Sequence, residues 1–384
     1  MWRNIASNAL TFLVVAVFLL GGVLIWAQNE YHAEGPLDQA ICLEVPRGTN
    51  MKRVSEDLSE RGAVSSAVML RLGADYTDRT QRLKAGSYLV PDGASMSQIV
   101  DIVTKGGAST CGTEVVYRIG ITRASVEVRE IDPASGRYEE KAEFVPGEDD
   151  IPQVYAQVRE KSDTRYRVTL AEGVTSWQVV QELGLVDVLD GEVAVPPEGS
   201  LAPDSYEIAP GDTRASVIRR MQDAQEVILA QAWADRADGL PLDSPEEALI
   251  LASIIEKETG GPEERFDVAS VFVNRLDRGM RLQTDPTVIY GITKGEGPLG
   301  RGLRASELRR ETPWNTYVIP GLPPTPIANP GRASIEAALN PASTDYIYFV
   351  AKTLDPRDGH NFAETLEGHN ANVAAYRRLE AERN

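Results

Sequence analysis

Residues 243–259 read DSPEEALILASIIEKET, and this stretch decides the fold of the chain. Ser244 can cap the free N–H groups of a first helical turn, Pro245 suits the first helical position, and Glu247 completes a capping box. Residues 248–255 are apolar apart from one serine. A helix that is apolar on every face is buried, so we predict a core helix here. It is expected to end at three consecutive helix breakers, Gly260, Gly261 and Pro262.

The last turn of this helix carries Glu256, Lys257 and Glu258, three charges that a core helix does not need. An acid in the last turn faces the negative end of the helix dipole, which disfavours its ionised form. A carboxylic acid held neutral in this way can donate a proton near neutral pH. The alternative is that these side chains are solvated at the end of a helix, and the triplet alone does not decide between the two.

Composition excludes several classes of function. The net charge is −18, from 39 basic and 57 acidic residues, which argues against a nucleic-acid partner because no basic surface offsets the phosphates. The three histidines and two cysteines show no metal-ligand spacing, so we expect neither a metal nor another cofactor. Cys42 and Cys111 permit one disulfide in an oxidising compartment, but the sequence leaves open whether they are joined.

An uncharged run covers residues 9–27. As a helix it would be about 28 Å long, enough to cross the hydrocarbon core of a bilayer. Because Arg3 precedes it and acidic residues follow it, we predict a cytoplasmic tail at 1–8 and an external location for the rest of the chain. A cleaved signal peptide is the alternative, but residues 25–27 make a poor cleavage site. We therefore predict a single-pass anchor in the cell inner membrane and a linker at 28–40.

Two segments, 41–105 and 166–235, repeat the order strand, turn, helix, strand, helix. This order resembles that of LysM-like modules, which bind the glycan of cell walls, although convergent packing of small α/β units is the alternative. The segment 106–165 between them is turn-rich and predicts a β-rich insertion without assigned chemistry. Its strands are expected near 115–119, 125–131 and 137–144.

The remaining segment, 236–384, is expected to be an α+β catalytic domain, so the fold class is α+β throughout. It contains the core helix, a helix predicted at 265–278, a turn-rich stretch at 279–291 and a buried strand predicted at 346–350. Loops rich in proline, amides and aromatic side chains, with few lysines, are typical of grooves that bind sugars.

Five motifs in this segment resemble those of the MltG (YceG-like) endolytic murein transglycosylases. They are ASIIEKE at 252–258, NRL at 274–276, LQTDPTVIY at 282–290, NTY at 315–317 and GLPP at 321–324. The resemblance covers nearly the whole chain. It implies a lyase that cuts peptidoglycan strands within their length, and it places the catalytic glutamate on Glu256. Trp314 and Thr325 depart from the tyrosine and the glycine that the family usually has at these positions.

Helical spacing limits the possible mechanisms. Glu256 and Glu258 are two positions apart and point to nearly opposite sides of a helix, so they cannot form the carboxylate pair of a lysozyme-type hydrolase. Asp285 is an alternative second carboxylate, but in Thr-Asp-Pro it is expected to organise a turn. We therefore expect a single-acid mechanism. The candidate substrate-binding residues are Gln283, Asp285, Asn315 and Tyr317.

The sequence leaves two other functions open, a muramidase that consumes water and a non-catalytic cell-wall scaffold. The partners implied by the leading interpretation are peptidoglycan strands, the cytoplasmic membrane and, among proteins, peptidoglycan synthases. We expect His360 and His369 to be structural.

Overall fold

The computed structural model describes residues 2–105, 110–161, 163–259 and 261–383, which form the α+β fold that the sequence predicts. The helices are α1 (Trp2–His32), α2 (Met51–Glu60), α3 (Ala67–Tyr76), α4 (Met96–Thr104), α5 (Gln153–Arg159), α6 (Ser176–Gly184), α7 (Arg214–Ala234), α8 (Pro245–Glu258), α9 (Arg265–Asp277), α10 (Asp285–Thr293), α11 (Ala305–Leu308), α12 (Arg332–Leu339) and α13 (Leu366–Arg383). The strands are β1 (Ile41–Val45), β2 (Gly86–Val90), β3 (Thr113–Ile119), β4 (Ala124–Asp132), β5 (Arg137–Phe144), β6 (Arg165–Leu170), β7 (Ser205–Ile208), β8 (Tyr348–Ala351) and β9 (His360–Ala363). The sheets have the strand orders β1-β2, β5-β4-β3-β6-β7 and β8-β9.

The chain divides into two compact units, and each is built from several segments. The first comprises Met1–Val115, Glu127–Glu143 and Ile151–Arg165, and the second comprises Val116–Val126, Phe144–Asp150 and Tyr166–Asn384. The boundary expected between residues 235 and 236 does not separate compact units. The second α/β module therefore belongs to the same unit as the predicted core helix.

The first unit contains the apolar N-terminal helix. Within α1, the stretch Thr11–His32 is long and apolar enough to cross a membrane, with a mean hydropathy of 2.2 over its most apolar window. Its large apolar side chains are exposed. The helix continues to His32, so the first five residues of the predicted linker at 28–40 are helical.

The first unit also contains three helices packed with a pair of strands, β1 and β2, which are connected through α2 and α3. Strands β1 and β2 are antiparallel, with Ile41 opposite Val90. Helices α2, α3 and α4 bury Leu58, Leu70 and Ile99 in a shared core. Cys42 and Cys111 form a disulfide with 5.6 Å between their Cα atoms. The likeness of this βααβ arrangement to LysM-like modules remains a prediction.

The second unit repeats part of this pattern and adds the C-terminal helices. Strands β6 and β7 are antiparallel, with Tyr166 opposite Ile208. Helix α6 begins at a capping box formed by Thr175 and Gln178. The three strands predicted between the modules are also present, since β3, β4 and β5 match them to within two residues at either end.

Helix α8 is the buried centre of the second unit, as its apolar sequence predicts. The Ser244 hydroxyl accepts the Glu247 N–H (3.3 Å), which confirms the N-cap. The Glu247 carboxylate accepts the Asp243 N–H (2.7 Å). The second hydrogen bond of the predicted capping box is therefore donated by the residue before the N-cap, not by Ser244 itself. The helix ends at Glu258, and Gly260, the first predicted breaker, lies outside the described residues.

Two predictions for this unit were wrong. The stretch 279–291 is not only turns, because its second half forms α10. Asp285 in the first turn and Pro286 near the helix start favour helix formation, and Lys294 in the left-handed conformation ends the helix. Strand β8 begins at Tyr348 rather than at residue 346, and its residues are half-buried rather than buried.

Candidate active site

Glu256 is a half-buried residue in the last turn of α8, and its carboxylate reaches the N-terminus of α12. Its Oε2 accepts hydrogen bonds from the Gly331 backbone N–H (3.0 Å) and from the Ser334 hydroxyl (2.7 Å). Ser334 is fully buried. None of the residues that the structure describes donates a hydrogen bond to the second oxygen, Oε1.

This placement changes the electrostatic argument made from the sequence. The negative end of α8 disfavours a charge on its own last turn, but the side chain of Glu256 extends to the positive end of α12. Two donors that point at one carboxylate oxygen stabilise its ionised form. The N-terminus of α12 is therefore preorganised to stabilise a carboxylate at Glu256.

A second carboxylate, Glu172, lies beside Glu256 in the turn between β6 and α6. Its Oε1 comes so close to Gly331 that a Cβ atom built on this glycine would lie 1.8 Å from it. Gly331 has an ordinary φ of −73°, so this contact, and not the backbone conformation, requires a glycine. Burial raises the pKa of Glu172, the charge of Glu256 raises it further, and Arg265 opposes the rise.

Asn329 connects the turn of Glu172 to the loop before α12. It is fully buried. Its backbone N–H and its side-chain amide both donate to the Val174 carbonyl (2.9 Å each), and its own carbonyl accepts the Gly173 N–H (2.9 Å). Its Oδ1 accepts the Leu201 N–H (3.0 Å). The turn that carries Glu172 is therefore fixed by paired hydrogen bonds to the element that positions Glu256.

Lys257 lies on the neighbouring side of α8. Its ammonium donates to the Gly173 carbonyl (3.2 Å). Burial lowers the pKa of Lys257, whereas the carboxylates of Glu256 and Glu198 oppose this effect. Burial raises the pKa of Glu198, which accepts the Ser176 N–H (2.8 Å). Lys257 thus places a positive charge between two carboxylates next to the turn of Glu172.

Glu258 faces a different group of residues from Glu256, as the helical spacing predicts. Its Oε1 accepts the hydroxyl of Thr284, the residue before α10. Burial raises the pKa of Glu258, and the charge of Asp285 contributes to the rise. Glu258 is therefore not the partner of Glu256 in a two-carboxylate site.

Three of the four predicted substrate-binding residues lie together at the start of α10. The Tyr317 hydroxyl donates to Asp285 Oδ1 (2.7 Å). Burial, then the contact with Asp285, raises the pKa of Tyr317. Gln283 has a left-handed backbone with φ of 53°, held by its N–H donating to the Thr316 carbonyl (3.2 Å). The side chains of Gln283 and Asp285 are exposed and can reach a ligand.

Asn315, the fourth predicted residue, is fully buried and hydrogen-bonds to the backbone of its own loop. Its Nδ2 donates to the carbonyls of Glu307 (3.2 Å), Leu308 (3.2 Å) and Arg310 (2.7 Å). Its Oδ1 accepts the Tyr317 N–H (3.0 Å). Because the amide is occupied by the protein and has no exposed surface, the structure does not support the expected sugar contact for Asn315.

His360 is held by Glu264. Its backbone N–H donates to Glu264 Oε2 (2.7 Å), and its Nδ1 lies 2.6 Å from Oε1. His369 stacks on Tyr348, with 4.9 Å between ring centroids. Within the described ranges, no group of three His, Cys, Asp or Glu side chains is arranged to hold a metal ion.

Comparison with known proteins places this geometry in a family. The model of the YceG-like family matches residues 43–375. This chain belongs to the YceG-like family. The match runs from β1 to α13 and so includes Glu172 and Glu256, the two carboxylates next to Gly331.

Curated relatives of the chain carry one functional name. The endolytic murein transglycosylase of Bacillus subtilis (strain 168) is 28% identical over 357 residues, which cover 92% of this chain and 89% of the relative. That of Streptococcus pneumoniae serotype 2 is 25% identical, covering 97% of this chain and 66% of the relative. A crystal structure of a YceG-like protein from Listeria monocytogenes is 26% identical, covers 87% of this chain and 99% of that one, and has a TM-score of 0.46.

The two departures from the usual YceG-like residues contact each other. Trp314 Nε1 donates a hydrogen bond to Thr325 Oγ1 (2.9 Å). The Lys294 ammonium lies 3.4 Å from the centroid of the Trp314 ring, and the Tyr290 ring lies 5.8 Å from it. The side chains of Trp314 and Thr325 are therefore joined directly within this loop.

Glu172 and Ser334 are the functional candidates that reasoning from the sequence missed. One signal for Glu172 was available. The turn of the first module reads Pro46-Arg47-Gly48, whereas the corresponding turn of the second reads Ala171-Glu172-Gly173, with an acid in place of a base. No local pattern marks Ser334, because its role depends on where α12 meets α8.

Proposed function

We propose that this chain is an endolytic lytic transglycosylase that cleaves the bond between N-acetylmuramic acid and N-acetylglucosamine within peptidoglycan strands. The observation that carries this proposal is the carboxyl of Glu256, with Oε2 held by two donors and Oε1 without a protein donor among the described residues. The names of the relatives from Bacillus subtilis and Streptococcus pneumoniae support the substrate class and the reaction.

In the first step, neutral Glu256 donates its proton from Oε1 to the glycosidic oxygen as the bond from this oxygen to the muramyl C1 breaks. Negative charge develops on the carboxylate, and the Gly331 N–H and the Ser334 hydroxyl stabilise it. These donors are already in place, so no reorganisation is needed at the moment of transfer.

In the second step, the carboxylate of Glu256 takes the proton from the muramyl C6 hydroxyl while its oxygen bonds to C1. The product is a 1,6-anhydro end, and Glu256 is neutral again. No water is consumed, so the reaction is an intramolecular transglycosylation. One residue serves first as general acid and then as general base.

Sugar binding is assigned to Gln283, Asp285 and Tyr317, which the structure brings together at the start of α10. Exposed carboxylate and amide groups next to a phenol ring can hydrogen-bond hydroxyls and stack against a pyranose ring. Asn315 is not part of this assignment.

The chain is further proposed to be a single-pass protein of the cell inner membrane, with a cytoplasmic N-terminus and the enzyme outside. Support comes from the apolar stretch of α1 and from the charges that flank it. In this position the site would meet glycan strands near the membrane, where peptidoglycan synthases make them, and these synthases are the proposed protein partners.

The test is product analysis with the purified full chain in detergent and uncrosslinked glycan strands. Wild type is expected to release fragments with anhydro ends, identified by mass spectrometry. Glu256→Gln keeps the acceptor for both donors but has no acidic proton, so it is expected to release none. The exposed Glu263 supplies a matched control, and Glu263→Gln is expected to behave as wild type. Unchanged release by Glu256→Gln would refute the assignment.

A muramidase is the second candidate, and the position of Glu172 beside Glu256 favours considering it. Hydrolases of the lysozyme type use two carboxylates at the scissile bond. Their products have reducing ends and are heavier by one water molecule than anhydro products. The same mass spectrum therefore decides between the two reactions.

A further inference from the structure

Three large apolar side chains are exposed on one face of α3 in the first unit. Val68, Leu72 and Tyr76 are 54%, 63% and 91% exposed. Their spacing of four residues places them in one row along the helix, about 12 Å long at about 1.5 Å per residue. The other face of α3 buries Leu70 and Ala74 in the core of the unit. Because the outward face of a surface helix is normally polar, this row, the apolar stripe of α3, indicates a surface that is covered in the working protein.

Contacts within the first unit place α3 at the end of the apolar helix α1. The Tyr31 ring of α1 is buried against α3, where it occupies the space that a Cβ atom on Gly73 would need. The Ser65 hydroxyl, just before α3, donates to Glu30 Oε1 (2.9 Å). Tyr31 follows the last residue of the uncharged run, Ala27, by about 6 Å of helix. Helix α3 therefore contacts α1 at the level where the chain leaves the hydrocarbon core, if the uncharged run spans a bilayer.

The apolar stripe adjoins the side of α3 that contacts α1. At about 100° per residue, the stripe lies between Gly73, which contacts α1, and the polar side chains of Arg71 and Asp75. The Arg71 guanidinium lies 3.6 Å from the Glu56 carboxylate on α2. Asp75 accepts a hydrogen bond from the Thr80 hydroxyl. The flank of α3 away from α1 is thus polar, as in helices that lie in the plane of a membrane interface.

We propose that the apolar stripe of α3 inserts into the interfacial region of the lipid bilayer that α1 spans. This inference rests on the proposed membrane anchor and adds a second membrane contact to it. The stripe extends the exposed apolar surface of α1 to a helix that is packed against the end of α1. Tyr76 has an aromatic ring with a polar tip, the kind of side chain that is enriched where a bilayer meets water.

The size of the stripe favours lipid over a protein partner. Three side chains offer less than about 600 Å², whereas a specific protein interface buries about 800 Å² on each partner. Insertion into lipid needs no complementary surface, and α1 already holds α3 at the membrane. Since one spanning helix leaves the tilt of the first unit free, the second contact would fix its orientation on the membrane.

The test is the depth of fluorescent labels in proteoliposomes of phosphatidylethanolamine and phosphatidylglycerol, in which some lipid carries a nitroxide quencher near the head group. The full chain receives one added cysteine, which is labelled with an environment-sensitive dye while the Cys42–Cys111 disulfide stays closed. A label at Leu72→Cys is expected to have blue-shifted emission and to be quenched within about twofold of a label at Trp26→Cys in α1. Val227 on α7 is 54% exposed, and a label at Val227→Cys, the matched control, is expected to be neither shifted nor quenched.

A charged substitution tests whether the stripe inserts as one surface. With the label at Tyr76→Cys, Leu72→Asp is expected to reduce quenching by the nitroxide lipid several-fold, because a carboxylate resists transfer out of water. The matched substitution Val227→Asp is expected to leave this quenching unchanged. Circular dichroism establishes that each variant is folded.

Quenching at Leu72→Cys no stronger than at Val227→Cys would overturn the inference. So would a label at position 72 that is shielded from dissolved iodide but not quenched by the nitroxide lipid, since another protein surface would then cover the stripe. Failure of the membrane anchor would appear as an unquenched label at position 26, whereas failure of this inference alone would leave that label quenched and the label at position 72 unquenched. The release of anhydro ends tests the enzymatic proposal separately.

Discussion

The hydroxyl of Ser334 offers a direct measure of how much the N-terminus of α12 contributes to catalysis. It is fully buried and donates to Glu256 Oε2 over 2.7 Å, so Ser334→Ala removes a donor without touching the substrate. Hydrogen bonds to charged groups contribute about 1.5–3 kcal/mol. The bond matters most when Glu256 is ionised, which is the state that forms as the proton leaves.

At about 1.4 kcal/mol per factor of ten, this loss predicts a decrease in kcat of about 10- to 150-fold, with KM nearly unchanged. The assay is the initial rate of anhydro-end formation at several concentrations of glycan strands. Circular dichroism and a thermal melt establish that the variant is folded.

Ser270 provides the control because it is also a buried hydroxyl on a helix of this unit. It donates to the Asp267 carbonyl (2.7 Å) and contacts Thr344. Ser270→Ala should cost a similar amount of stability and leave kcat within about twofold of wild type. A wild-type kcat in Ser334→Ala, or an equal loss of activity in the two variants, would refute this role of Ser334.

Three further variants probe the rest of the structure. Burial raises the pKa of Glu258 above its value in the unfolded chain. Ionisation of Glu258 therefore opposes folding. The free energy of unfolding should fall by up to about 1.4 kcal/mol per pH unit as the pH rises above about 4. Urea titrations from pH 5 to pH 8 should show this slope in wild type and lose it in Glu258→Gln; an unchanged slope would contradict the assignment. Replacing Cys42 and Cys111 by serine opens a loop with a sequence separation of 69. Denaturant unfolding should then show the first unit destabilised by about 4 kcal/mol. A loss below about 1 kcal/mol would show that the disulfide hardly constrains the unfolded chain. Asn315→Ala should cost about 3 kcal/mol because three carbonyls lose their donor, whereas a raised KM with unchanged stability would restore the sugar-binding role.

The parts of the fold that could be predicted depend on local signals. Helix α8 is recognisable because its cap, its apolar run and its charged end follow one another in the sequence. The strands of the insertion are recognisable for the same reason. Helix α10 was missed although Asp285 and Pro286 mark its start, because the surrounding glycines and threonines favoured turns.

The site could be predicted only in part, because its geometry is not local. Glu256 follows from its place at the end of a buried helix and from the family resemblance. Its partners come from other segments: Glu172 precedes it by a whole module, and Ser334 follows it by several loops. Asn315 shows the opposite limit, since an amide in a polar loop can bind a ligand or the loop itself, and only the contacts decide which.

The division of the chain into interleaved segments has a consequence for biogenesis. The residues at 116–126 and 144–150 belong with the C-terminal unit, yet they are synthesised between stretches of the first unit. Pairing between residues far apart in sequence is slow to form. The first unit has all of its segments once residue 165 has been synthesised, whereas the second is complete only when the C-terminal helices have arrived. A premature stop before α12 would leave the apolar side chains of α8 without a helix that packs on them, and exposed apolar surface is a substrate for chaperones and proteases.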